Sequence, residues 1–430
     1  MPISMLLILV VVMAVPAYAV AVPSTFETPP VLRGSELATP AMLKGPHFVV
    51  EEDVPTTDLV TRFIIRSDYG VFEAHGRDML AVRVVEMGAL DQLAKTSKTE
   101  EFARAVGRTA VRPVTAAANM ASHPVDTVKG TPAAVGRFFD RVELGTRSLM
   151  QSSSTGSATA GQTARRVGSV AADALGYEEE RRALAKRLGV DPYTTNHVLA
   201  DKLDEITWVA FSGRLGVSVV ESVVVPYSFA LSTTTTVNDL VWDMKPADLL
   251  NLADQKLRAM GVADQNVRAL LANPWYTLTM LTALVNGLEA LDGVRGRNQI
   301  VQFAALAPSE DRARLVVGAV QMLAGEQTAT HALVQVTAPG PLVARTRTGG
   351  ILIPVALDYL PWTERVSTFS QRPDLRVKDR TVWLTGQASP RARQELTAAG
   401  WMLRENSQYP VLPSAPAASP PESTPMRATP

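Results

Sequence analysis

The chain has 430 residues, enough for two or three domains that each bury a core, and its 42 lysines and arginines balance 42 aspartates and glutamates. With no net charge to draw it toward polyanions, nucleic-acid binding is disfavoured. There is no cysteine, which removes disulfides, thiolate metal sites, cysteine nucleophiles and the acylated cysteine of a lipoprotein.

Residues 1–22 carry no charged side chain; an apolar run from Met5 to Val15 is followed by Pro16 and the small-x-small pattern Ala17-Tyr18-Ala19. That pattern predicts a secretory signal peptide cut after Ala19 or Ala21, placing the mature protein in the periplasm or outside the cell. No lysine or arginine precedes the apolar run. The alternative is an uncleaved anchor made of residues 1–22, barely long enough to span a bilayer and weakened by Pro2, Ser4 and Pro16. From there to residue 58 proline, threonine and glycine recur without a sustained period, which predicts an extended arm over residues 23–58 that lies on a later domain.

Leu59 to Ala74 is strand-like: Phe63-Ile64-Ile65 and Val71-Phe72 flank Ser67-Asp68-Tyr69-Gly70, a hairpin turn in which glycine tolerates positive φ. Helices follow. Leu80, Val84, Met87, Leu90 and Leu93 form an apolar stripe, and Ser97 or Thr99 can cap a second helix through Phe102, Val106 and Ala110. Pro113, Pro124 and Pro132 each stand where a short helix can begin. The segment Pro113 to Leu149 mixes Phe138 and Phe139 with Arg137, Arg141 and Arg147; it packs on its neighbours with its arginines in water, or else rests on anionic lipid as a peripheral membrane contact. Ser152 to Thr163 is small and polar, a linker.

Tyr177 to Trp208 reads as a helical hairpin, with glutamates 178–180 in a first turn, a stop at Gly189, a turn at Asp191-Pro192 and a second helix capped by Thr195 or Asn196. Its glutamates and arginines are spaced as exposed-face ion pairs. Leu215 to Leu231 is apolar around the single acid Glu221, whose pKa would rise if it were buried unpaired, but Glu221 and Pro226 interrupt the run too much for a membrane span. Asn273-Pro274 opens an apolar helix, Leu278 to Leu291, expected at the centre of its unit, and Ser309 to Ala324 forms another with Glu310 and Asp311 at its start.

Near Thr330 the period changes to strands, His331 to Thr337, Leu342 to Thr346 and Gly350 to Leu357, a small meander. Thr381 to Glu405 then reads strand, helix from Ser389-Pro390, stop at Gly400, strand. The expected fold class is mainly α: helical domains with an N-terminal β-hairpin and a small C-terminal α/β (α+β) module. The divisions are signal 1–22, arm 23–58, hairpin plus helical unit 59–150, linker 151–163, helical domain 164–328, α/β module 329–406 and a disordered proline-, alanine- and serine-rich tail 407–430.

Chemistry is sparse. The five histidines, at 47, 75, 123, 197 and 331, lie far apart with no HExxH, and GxSxG, GxxxxGK[ST] and GxGxxG are missing, so no metal or cofactor is expected. The first site to consider is the turn from Gly386 to Arg393, where N–H groups at a helix start, the Ser389 hydroxyl, Arg391 and Arg393 could hold a phosphate or carboxylate. The second is Trp362, which anchors a helix to the sheet or stacks on a sugar or peptide. The sequence thus points to an exported cell-envelope or secreted protein of non-catalytic, protein-binding or scaffolding type, partnered by another envelope protein. Alternatives are an exported hydrolase whose groups, including His123, His197 or His331, meet only in three dimensions, or a peripheral membrane protein.

Overall fold

A computed structural model of the chain describes residues 25–96, 176–211, 235–338 and 340–407. The expected signal, the helices from Ser97 through the Pro113–Leu149 segment, the Ser152–Thr163 linker, the apolar run around Glu221 and the tail beyond Ser407 lie outside the described residues.

The stretch expected to be an arm forms strands β1 (Val31–Arg33), β2 (Lys44–Gly45), β3 (Phe48–Val50) and β4 (Asp53–Thr57), with short helices α1 (Gly34–Leu37) and α2 (Pro40–Leu43) between them. Strands β5 (Val60–Ser67) and β6 (Gly70–His75) make the expected hairpin, turning at Asp68-Tyr69. The long β5 pairs with β4 through Thr56 and Thr61, with β3 through Val50 and Ile65, and with β6 along its whole length, so the hairpin is the spine of a six-stranded sheet. Burial alternates along β4, β5 and β6, with Thr61, Phe63 and Ile65 of β5 pointing inward, but the inward residues of β4 are Val54 and Thr56, so burial alternates there where apolar character in the sequence does not.

Helix α3 (Arg77–Thr96) packs on this sheet through Leu80, Met87, Leu90 and Leu93. Next come α4 (residues 176–188) and α5 (His197–Phe211), the predicted helical hairpin. Asn196 caps α5, its Oδ1 accepting from Val198 N at 3.1 Å. Leu184, Leu188, Leu199 and Leu203 enter the same core as Phe63 and Ile65, so the hairpin completes the N-terminal unit instead of joining the helical middle with which the sequence grouped it. Each such buried side chain contributes about 1.5–3 kcal/mol.

The helical middle comprises α6 (Thr235–Asp243), α7 (Pro246–Ala259), α8 (Asp264–Leu271), α9 (Leu278–Ala290), α10 (Arg297–Ala305) and α11 (Glu310–Thr330). Helix α9 is buried on most faces, as its composition predicts, but it starts at a Thr277 cap; Asn273 shapes the preceding turn, accepting from Trp275 N and donating to Ala305 O and Ala307 O. A Cβ at Gly287 would stand 2.8 Å from Val320, so this glycine is what lets α9 and α11 approach.

The C-terminal sheet runs β13-β11-β9-β8-β7: an antiparallel meander of β7 (Leu333–Thr337), β8 (Val343–Thr346) and β9 (Ile351–Val355), continued in parallel by β11 (Arg380–Leu384) and β13 (Met402–Arg404). A two-stranded parallel pair, β10 (Tyr359–Leu360) with β12 (Gln387–Ala388), stands beside it. One face of the sheet joins the core of α9 and α11 through Val336, Leu352 and Trp383; the other packs on α12 (Glu364–Ser370) and α13 (Pro390–Ala398). The expectation of a mainly α fold with an N-terminal hairpin and a small C-terminal α/β module is therefore overturned in its class: among the described residues, sheets of six, two and five strands flank the helical middle, giving a mixed α and β protein. The physical reason is that tertiary pairing, not local period, defines β1 to β4. Among the described residues no helix is long and apolar enough to cross a membrane.

Candidate functional site: a polar cleft where three units meet

The N-terminal sheet, α11 and the Ala356–Asp358 loop converge on one cleft, a cavity of about 50 Å³. Its construction begins with a missing cap. Helix α3 starts at Arg77 behind His75-Gly76, so glycine, and not serine, threonine, asparagine or aspartate, stands at its cap position. Asp358 supplies the acceptor from across the fold: its Oδ2 accepts from Arg77 N at 2.8 Å and from the Thr61 hydroxyl. Gly76 (φ 89°) bends the chain into the helix beside that carboxylate. Asp358 is fixed in turn, its carbonyl accepting from Gln387 N at 3.0 Å, with Gly386 so close that a Cβ there would fall 1.9 Å from that oxygen. Arg77 reaches over to donate from Nη2 to Thr385 O at 3.1 Å.

His75, at the end of β6, donates from Nδ1 to Asp311 Oδ2 on α11 at 2.8 Å, and its Nε2 faces Glu73 Oε2 at 3.5 Å. The hydrogen bond to Asp311, then that to Glu73, pushes the imidazole up to about 9 against the opposing effect of burial. The His75 hydrogen bond, helped by Arg62, holds Glu73 below the usual carboxylate range. At neutral pH the ring is an imidazolium with a carboxylate at each nitrogen. A general base needs a neutral ring with a nitrogen aimed at the substrate, so this pair acts as a bolt between sheet and helix.

One turn further along, Arg314 Nε donates to Glu310 Oε1 at 3.0 Å; burial pushes Glu310 upward, but the Arg314 charge and hydrogen bond outweigh it and the carboxyl lies below its ordinary range. Thr195 donates to the same oxygen at 3.2 Å and accepts from Arg83 Nη2 at 3.0 Å. Arg83 Nη1 donates to Glu86 Oε2 at 2.7 Å, and Glu86, 1% exposed, also accepts from Asn196 Nδ2 at 2.9 Å and from the Thr194 hydroxyl. Beside this network Asp191, the turn residue of the hairpin, is buried and accepts from Tyr193 N at 2.8 Å and Thr279 Oγ1 at 2.7 Å. Burial pushes its carboxyl up to about 6 in spite of those hydrogen bonds. The hairpin's arginines are not the exposed-face pairs that their spacing suggested: Arg181 pairs across the hairpin with Asp204, Arg187 with Glu180 seven residues before it, and Arg182 is buried.

At the other predicted site, Ser389 caps α13 by accepting from Ala392 N at 2.8 Å and donates to Glu27 Oε2 at 2.6 Å. Glu27 also accepts from Trp362 N, and its own N–H donates to Trp362 O at 2.8 Å, so residues 26 and 27 lie across the C-terminal unit with Phe26 against its core. The chain's own carboxylate stands where an external anion was expected. Arg393 forms two hydrogen bonds with Glu405, at 2.9 and 3.0 Å; Arg391 follows Pro390 in the first turn of α13. Trp362 is buried as a structural anchor. His197 and His331 are exposed at the start of α5 and the end of α11, and His123 lies outside the described residues. Among the described residues no three histidine, aspartate or glutamate side chains converge to hold a metal ion.

Sequence reasoning missed His75, Asp311 and Asp358 as one constellation. The available signal was the uncapped start of α3, which demands a distant acceptor without saying which. No protein family, curated protein or solved structure matches the chain.

Proposed function

We propose that this chain is an exported cell-envelope or secreted protein that works by binding or organising another protein and not by catalysis. The observation that carries the non-catalytic part is the use to which the cleft's ionisable groups are put. His75 is held at both nitrogens by Asp311 and Glu73, and Asp358 is committed to the start of α3. Groups arranged this way fasten three units into a fixed surface, the preorganisation that a binding face needs. Export rests on the uncharged apolar N-terminus ending in Ala17-Tyr18-Ala19.

The test is the intact mass of the protein recovered from fractionated cells of its source. A mass starting at Val20 or Val22 in the soluble envelope or medium fraction is the expected result. Full-length protein in the cytosol would overturn export; full-length protein in the membrane fraction would make residues 1–22 an anchor. Hydrolysis of ester, peptide or glycoside substrates that is lost in His75→Gln would overturn the non-catalytic reading.

A further inference from the structure

Residues 331–407 hold ten lysines and arginines against six aspartates and glutamates, although the whole chain is balanced. On α13 and β13 the cations meet carboxylates, Arg393 with Glu405 and Arg404 with Glu326. The excess gathers at one end of the C-terminal sheet, where β8 stops, β9 and β11 start, and the 371–379 loop arrives from α12. Arg345 of β8 and Arg380 of β11 both stand opposite Ile351 of β9, two strand spacings or about 10 Å apart. Arg345 Nη2 donates to Asp374 O at 3.4 Å, and Asp379 O accepts from Ile351 N at 2.9 Å, which ties the loop with its Arg372, Arg376 and Lys378 to the same end. Arg347, in the turn after β8, donates from Nε to His331 O at 2.9 Å. Among the described residues, only Arg372 of these six cations has a salt-bridge partner, Asp374 at 2.8 Å. Asp379 is the one other carboxylate of the loop, and Arg347, Arg376 and Lys378 are exposed.

Like charges held this close repel one another in the free protein, and an anion laid across them relieves that repulsion. The neighbouring side chains narrow the class of anion. Trp401 is buried beneath Arg380, whose Cζ lies 5.1 Å from the ring centre, and Phe369 lies beneath Arg372 at 5.5 Å, so these rings seat guanidinium groups and offer no platform for a base. Leu375 and Val377, the apolar residues of the loop, pack on the core, so nothing in the loop is placed to enter a bilayer. What faces outward is charge, most of it on planar forks that match a carboxylate with two parallel hydrogen bonds. We propose that this end of the sheet is the contact surface for an acidic segment of the partner protein, an extended run of glutamates and aspartates. This names the chemistry of the partner and rests on the protein-binding half of the reading above, not on export.

The probe is fluorescein-labelled poly-L-glutamate, titrated with the full chain and followed by fluorescence anisotropy. Binding is expected at about 20 mM salt and should weaken at least about tenfold by about 200 mM, as the Debye length contracts from roughly 20 Å to roughly 7 Å. Arg376→Glu with Lys378→Glu cancels the local excess of positive charge at two exposed positions. It should leave circular dichroism unchanged and weaken binding at least about tenfold, since attraction is replaced by repulsion. Arg376→Gln with Lys378→Gln should weaken binding at least about threefold and decides the matter if the reversal does not fold. Lys245→Glu with Arg268→Glu makes the same change in net charge at exposed positions of the helical middle and should bind within about twofold of the parent. No binding at low salt, binding indifferent to salt, or equal losses in the two reversals overturns the proposal. Phosphatidylglycerol vesicles that pellet the chain while poly-L-glutamate fails to bind assign the face to lipid and overturn it as well. Failure here leaves an exported binder with a different contact surface, whereas cytosolic full-length protein removes export and leaves the acidic-segment surface intact.

Discussion

Replacing Glu86 by alanine tests whether the buried network holds the N-terminal unit together. The Arg83 side chain is 9% exposed and that of Glu86 1%. Truncation would leave the Arg83 guanidinium without its carboxylate, and Asn196 Nδ2 and the Thr194 hydroxyl without an acceptor. Breaking a buried ion pair from one side costs about 3–5 kcal/mol, because a charge is left buried and uncompensated. With a urea m-value near ~2 kcal/mol/M, the unfolding midpoint followed by circular dichroism should fall by about 2 M. The double variant Arg83→Met with Glu86→Leu removes both charges and should recover most of that loss, since buried pairs are commonly neutral against apolar replacements of similar volume. A single variant within about 1 kcal/mol of the parent, or a double variant as unstable as the single one, would refute the assignment of a desolvated, interdependent pair.

Two pH effects and one steric effect are expected in the cleft and around it. His75 has a folded value of about 9 against an ordinary 6.5. Its contribution is therefore complete below pH 6.5 and is lost as pH rises through 9; thermal melts of His75→Gln should show a flatter profile over that window. Asp191, raised to about 6 from 3.8 by burial, likewise favours the fold most when protonated. Asp191→Asn keeps an acceptor for Tyr193 N and Thr279 and should stabilise the protein at pH 7 by up to about 3 kcal/mol, with the gain gone near pH 4 in paired urea titrations. Gly386→Ala would drive a Cβ to 1.9 Å from Asp358 O, so the loop must move and α3 lose its acceptor. A loss of about 2 kcal/mol or more is expected by denaturant unfolding, and an unchanged midpoint would show that the loop yields freely.

What the sequence determined by itself is what local physics controls. Asn196, Ser309 and Ser389 accept from backbone N–H groups at helix starts, Asp68-Tyr69 turns the hairpin, and the β7 to β9 meander and the β11-α13-β13 unit form where period and turn residues indicate. Each rests on bonds or stripes spanning a few residues, so the chain carries their signal in one window. Only the tertiary structure decided the rest. Strands β1 to β4 are defined by partners, ultimately β5, and not by a period of their own; the 176–211 hairpin could have packed on either helical unit, and its leucines chose the N-terminal core. The cleft is the extreme case. His75 meets Asp311, and Thr61 and Arg77 meet Asp358, across separations of more than two hundred residues. No spacing rule reaches that far: a charged side chain satisfied next door and one satisfied by a distant loop have the same sequence signature, and only the folded chain shows which carboxylate arrives.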